Sequence, residues 1–140
     1  MKREYPDAPV VGVGAVILDQ ERVLLVRRGQ EPLKGQSSLP GGALELGETL
    51  EAGIRREVRE ETGLEVEPVR IIEVLDRISH GEDGRIRYHY VLVDYLCRVT
   101  GGSLACASDA VDAKWTAWDD LDGVAEFTVE VIRKVRNAES

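Results

Sequence analysis

The chain has 140 residues, with 18 Lys and Arg against 26 Asp and Glu and a net charge of -8. That is room for one ordinary domain, 1–140. With 43% hydrophobic and 31% charged residues it has the profile of a globular protein, not a disordered one. So acidic a chain has no general electrostatic pull on nucleic acid, and a phosphate compound would need local neutralisation, for which a divalent metal is the obvious agent. No apolar run approaches bilayer-spanning length, and the N-terminal MKREYPDAPV lacks the apolar stretch of a signal peptide. The expectation is a cytoplasmic protein with neither a membrane nor a nucleic-acid partner. Cys97 and Cys106 lie outside CxxC spacing and read as reduced thiols.

Residues 9–18 form a valine-rich apolar run that predicts a buried strand. Asp19-Gln20-Glu21 reads as a turn and Val23 to Val26 as a second strand, so the pair suggests a hairpin. Arg27 to Ser38 reads as a polar loop, and Leu39-Pro40-Gly41-Gly42 excludes a helix. The strongest helix signal covers 50–62, with Thr49 as N-cap and Gly63 as left-handed C-cap. Residues 64–76 read as extended, Ser79 to Gly84 as a turn, and Arg85 to Val99 as a long strand that Gly101-Gly102 should break. Residues 113–118 suit a short strand, and 125–136 an amphipathic helix carrying Phe127, Val129, Val131, Ile132 and Val135. The order of strands, helix, strands and helix gives an α/β class with a mixed sheet between helices.

The first helix is also the most acidic part of the chain. At about 100° per residue, Glu61 lies about 40° to one side of Glu57 and Glu60 about 60° to the other. Leu50, Ile54 and Val58 fall on an overlapping arc. A merely solvated charged face belongs opposite the apolar stripe, not upon it. Like charges at a packing surface repel and resist desolvation, so a compensating cation is expected. Arg56 lies beside the group, and two readings stand: a salt-bridged surface, or a site for a hard divalent ion such as Mg²⁺ or Mn²⁺. Pro40-Gly41-Gly42 places bare backbone just ahead of the helix, where a Gly42 carbonyl could add a ligand.

Gly42, Glu48 and Arg56-Glu57-Val58-Arg59-Glu60-Glu61-Thr62-Gly63-Leu64 together resemble the Nudix box, G-x5-E-x7-R-E-U-x-E-E-x-G-U, with every fixed position filled. The resemblance implies an α/β/α sandwich that hydrolyses a nucleoside diphosphate linked to another group, using Mg²⁺ or Mn²⁺. Carried onto this chain, Glu57, Glu60 and Glu61 match the metal-binding glutamates and Gly42 the glycine whose carbonyl often joins them. Arg56 and Glu48 match the pair that orients the acidic group, and Glu57 the position most often linked to activating water.

Outside the box the signals weaken. Asp109 and Asp112 are candidates for a further metal ligand, against a solvated loop. Arg28, after the second strand, could meet a phosphate, as could Arg77, Arg85 and Arg87, against surface arginines. Alternation puts Tyr88 and Tyr90 on one side of their strand and His89 on the other. One tyrosine could stack on a base, against plain core packing; His89 reads as structural. Many Nudix proteins carry a tryptophan just before Pro-Gly-Gly, where this chain has Ser37-Ser38. YHYVLVDYLCRVTGG and DAKWTAWDDL are similar to small ADP-ribose pyrophosphatase-like Nudix proteins, which implies release of AMP and ribose 5-phosphate. The alternatives are a (deoxy)nucleoside triphosphate pyrophosphohydrolase, including one for oxidised nucleotides, and a nucleotide-binding regulatory domain. A homodimer built on an exposed strand edge fits this kind of protein.

Overall fold

The computed structural model describes residues 2–29, 34–105 and 110–139. Strand β1 (Val10–Asp19) turns at Gln20 into β2 (Arg22–Arg28), and Leu18 faces Val23 across the predicted hairpin. Two short strands follow, β3 (Ser37–Ser38) and β4 (Gly41–Ala43). Ser38 pairs with Val26, so the polar segment after β2 rejoins the sheet. Helix α1 (Leu50–Thr62) begins where the Thr49 hydroxyl accepts the Ala52 N–H at 3.1 Å. It ends at Gly63, whose φ of 77° is the left-handed conformation a C-cap requires.

Strands β5 (Leu64–His80) and β6 (Ile86–Gly102) form a long antiparallel ribbon. Strand β6 ends at the expected glycine pair, later than Val99: both glycines still pair, Gly101 opposite Glu65 and Gly102 opposite Leu64, and Gly102, with a φ of 80°, is its last residue. β7 (Ala110–Ala117) pairs antiparallel with β2, and α2 (Glu126–Glu139) completes the fold.

Among the described residues seven strands run β3-β2-β1-β6-β5, with β4 on β1 and β7 on β2. β1 and β6 are parallel and the other pairings antiparallel, so the sheet is mixed. Alternation sends Val13, Ala15 and Ile17 of β1 with Val93, Tyr95 and Cys97 of β6 against Ile54 and Val58 of α1. Val16, Val23, Leu25 and Ile72 pack on Val131, Ile132 and Val135 of α2. The result is an α/β/α sandwich. β5 is an edge strand with Val69, Ile71, Val74 and Ile78 exposed. Cys97 is a free buried thiol whose pKa burial pushes up to about 12, and Cys106 lies outside the described residues. Among the described residues no helix is long and apolar enough to cross a membrane.

Candidate active site

The acidic face of α1 is organised by one guanidinium. Arg56 donates from Nε to Glu48 Oε2 at 2.7 Å and from Nη2 to Glu48 Oε1 at 2.9 Å, a two-pronged grip. Its Nη1 reaches Glu57 Oε1 at 2.8 Å and Glu60 Oε2 at 3.3 Å, and its Nη2 the Ala43 carbonyl at 3.2 Å. The arginine thus ties the loop before the helix, the helix and β4 into one unit. Its bonds to Glu48 hold that carboxyl down to about 2 and raise the pKa of Arg56 itself.

The three box glutamates differ in setting. Glu57 is 14% exposed and Glu60 53%, so of these two only Glu57 is pressed into the protein; Glu61 is half-buried. Burial raises the Glu57 pKa, partly offset by the hydrogen bond from Arg56. A Cβ at Gly42 would lie 2.7 Å from the Glu57 carboxyl, so a side chain there would push that carboxyl out of its place. Glu61 accepts the Gly41 N–H at 2.6 Å. Among the described residues no three acidic, His or Cys side chains already close into a metal cage. Glu57 and Glu60 lean on Arg56 and Glu61 on the backbone, as mutually repelling carboxylates do when hydrogen-bond donors are at hand. The donor chemistry nevertheless suits a hard divalent ion: carboxylate oxygens on one helix face, one of them half-desolvated, beside bare glycine backbone.

Gly41, Gly42 and Ala43 also form one wall of a cleft of about 140 Å³ on the α2 side of the sheet. Its floor is Gly12 and Gly14 of β1 with Tyr88, Tyr90, Leu92 and Asp94 of β6. Arg28, Arg77 and Tyr88, predicted separately as substrate contacts, all line it. Tyr88 and Tyr90 share a side, as alternation requires, with ring centroids 6.4 Å apart and planes 18° apart. The Arg77 guanidinium lies 4.5 Å from the Phe127 ring centroid. Arg85 and Arg87 turn away, to Asp83 and Glu4. Asp112 stands exposed in β7 opposite Arg27, not in a loop and not in the cleft; Asp109 lies outside the described residues. Among the lining residues that escaped the sequence reading are Arg3, Thr128 and Asp94. The first two come from chain ends with no motif. Asp94 carried a signal, an acidic residue inside the apolar run VLVDYL.

A family model described as the NUDIX domain matches residues 8–135. The chain belongs to the Nudix hydrolase family. The ADP-ribose pyrophosphatase of Methanocaldococcus jannaschii is 33% identical over 125 residues, 89% of this chain and 72% of that one. The 8-oxo-dGDP phosphatase of Homo sapiens is 32% identical over 122 residues, 81% of this chain but 35% of its own length. The crystal structure of a MutT Nudix hydrolase from Burkholderia pseudomallei matches with a TM-score of 0.78 at 30% identity, covering 92% of this chain and 99% of that one. Nudix hydrolases generally use divalent metal ions, which accords with the donor set on α1.

Proposed function

We propose that this Nudix domain hydrolyses the diphosphate linkage of a nucleoside diphosphate derivative, with ADP-ribose, cleaved to AMP and ribose 5-phosphate, as the leading substrate. The observation that carries this reading is the position of β4. One strand touches Glu57 and Glu61 and also walls a cleft lined by three arginines and two tyrosines. Phosphates at this strand would lie between the acidic helix and Arg3, Arg28 and Arg77. The likeness to the Methanocaldococcus jannaschii pyrophosphatase supports the ADP-ribose choice.

In this reading Gly42, Glu57, Glu60 and Glu61 hold Mg²⁺ or Mn²⁺. Such an ion supplies charge neutralisation at the diphosphate and a lowered pKa for bound water. Glu48 fixes Arg56, and Arg56 fixes Glu57 within reach of the reacting group. Glu57 takes the proton of the attacking water as its oxygen bonds to phosphorus and the P–O–P bridge breaks. Arg28 and Arg77 bind the anionic ends, and Tyr88 contributes an aromatic wall. A second reading, an oxidised-nucleotide phosphohydrolase, is favoured by the likeness to the human 8-oxo-dGDP phosphatase.

The test is a screen of purified protein with Mg²⁺ or Mn²⁺ against ADP-ribose, dinucleoside polyphosphates, nucleotide sugars, nucleoside triphosphates and 8-oxo-dGDP, with products resolved by chromatography. AMP and ribose 5-phosphate are expected. Turnover confined to 8-oxo-dGDP would move the assignment to the second reading. Binding without turnover of any compound would overturn both in favour of a regulatory domain.

A further inference from the structure

The cleft holds a charged group that the proposed hydrolysis leaves without a task. Asp94 sits in mid-strand on β6, 6% exposed, and its carboxylate has no hydrogen-bond donor or cation partner among the described residues. Its charged cross-strand neighbour is Glu73, of like sign, which Lys134 approaches at 3.9 Å. The carboxylate is not sealed in: among the described residues no side-chain oxygen or nitrogen fully shut from solvent lacks a partner. Asp94 lines the cleft, so its oxygens open there.

The adjacent strand makes room for it. Gly14 stands opposite Asp94 in the parallel register, and a Cβ there would lie 2.5 Å from Asp94 Oδ1. Gly12, opposite Leu92, would place a Cβ 2.7 Å from Leu92 Cδ2. The two small residues keep this face open where Val13 and Ala15, facing α1, close the other. An unpaired carboxylate so placed is costly to fold around unless something binds it.

Its position suggests what that is. Gly41, Gly14 and Asp94 are successive neighbours across β4, β1 and β6. At the usual strand spacing Asp94 is roughly 10 Å from the strand that touches the box glutamates. That is too far to serve the reacting phosphorus directly, and it suits the far end of a nucleotide whose phosphates lie at β4. Toward Tyr90 the floor is apolar, through Leu92.

We propose that Asp94 reads the nucleobase: its carboxylate accepts hydrogen bonds from amino or ring N–H groups on the base edge, while the ring packs over Leu92 toward Tyr90. An ionised carboxylate accepts and does not donate, so it selects bases that present N–H donors and rejects those that present only acceptors. Burial raises the Asp94 pKa to about 6, which leaves the group largely ionised at neutral pH. The inference rests on the nucleotide reading above but not on turnover.

The experiment measures equilibrium binding of AMP, GMP and 8-oxo-dGMP, and of the monophosphates of N6,N6-dimethyladenosine and unsubstituted purine riboside. The proteins are wild type, Asp94→Asn and Asp94→Ser, each checked for folding by near-UV circular dichroism; ribose 5-phosphate is the base-free control. In wild type the best donor-bearing base is expected to bind about 10- to 100-fold tighter than the donor-free ones. Asp94→Asn, whose uncharged amide oxygen still accepts, should narrow that gap, and Asp94→Ser, which is too short to reach, should close it, with ribose 5-phosphate unaffected. An unchanged preference in Asp94→Ser, or an equal loss for ribose 5-phosphate, would overturn the proposal. If wild type hydrolyses nothing yet the base preference follows Asp94, base reading stands and the hydrolase assignment alone fails.

Discussion

Glu48 and Asp94 are both carboxylates turned into the protein, yet their surroundings move them in opposite directions. Glu48 lies in the two-pronged grip of Arg56 and also accepts the Glu45 N–H at 3.0 Å; its pKa falls to about 2. Asp94 has no donor among the described residues and a like charge across the ladder; burial lifts it to about 6. Depth strains the one and a donor steadies the other: desolvation raises Asp94, and the Arg56 grip lowers Glu48. The helix side of the molecule is tied together before any substrate arrives. The cleft side keeps a charge that no donor among the described residues offsets.

The largest expected effect lies on the helix side. Glu60→Gln and Glu61→Gln should each lower metal-dependent turnover by about 10³-fold, as loss of a charge-stabilising group does. Urea midpoints should hardly move, so full activity in either variant would remove the metal assignment. Arg56→Ala comes next. It strands Glu48 and Glu57 as half-buried carboxylates without their cation, which should cost about 3 kcal/mol in urea denaturation. Arg56→Lys keeps the charge but loses the fork and should recover only part.

Asp94→Asn should have the opposite sign. Its folded pKa, about 6, lies above its ordinary 3.8, so its contribution is best below pH 3.8 and is lost as pH rises through 6. The variant should therefore be more stable than wild type by about 2 to 3 kcal/mol at pH 7, with the gap closing toward pH 4. A gap that does not change with pH would show that Asp94 is not strained by its charge. Glu48→Gln gives the mirror image: its pKa is depressed from 4.5 to about 2, so its stabilising contribution is complete above pH 4.5 and fades as pH falls through 2. The smallest effect is Thr49→Ala, which removes the N-cap of α1 and should cost about 1 kcal/mol in the same assay.

Helix α1 was readable because its signals are local. The cap residues, the apolar period and the box glutamates all lie within a few turns of one another, and the helix spans the predicted residues 50–62. The hairpin from β1 to β2 was readable for the same reason. Gly101 and Gly102 marked the strand's end locally, but that both still pair was not legible, because their partners Glu65 and Leu64 lie far back in the chain. Asp112 looked like a loop residue until β2 paired with its strand.

What the order of amino acids determined unaided is the chemistry on α1: three carboxylates, one arginine and a glycine, set by helical spacing and a tight turn. What needed the third dimension is the cleft. Arg28, Arg77 and Tyr88 could be named one at a time, but only the parallel union of β1 with β6 set Gly12 and Gly14 beside Leu92 and Asp94 and left space above them. The reason is that spacing along a helix is fixed by the backbone's own geometry, while neighbours across a sheet are chosen by strand order and register, which no local stretch of chain contains.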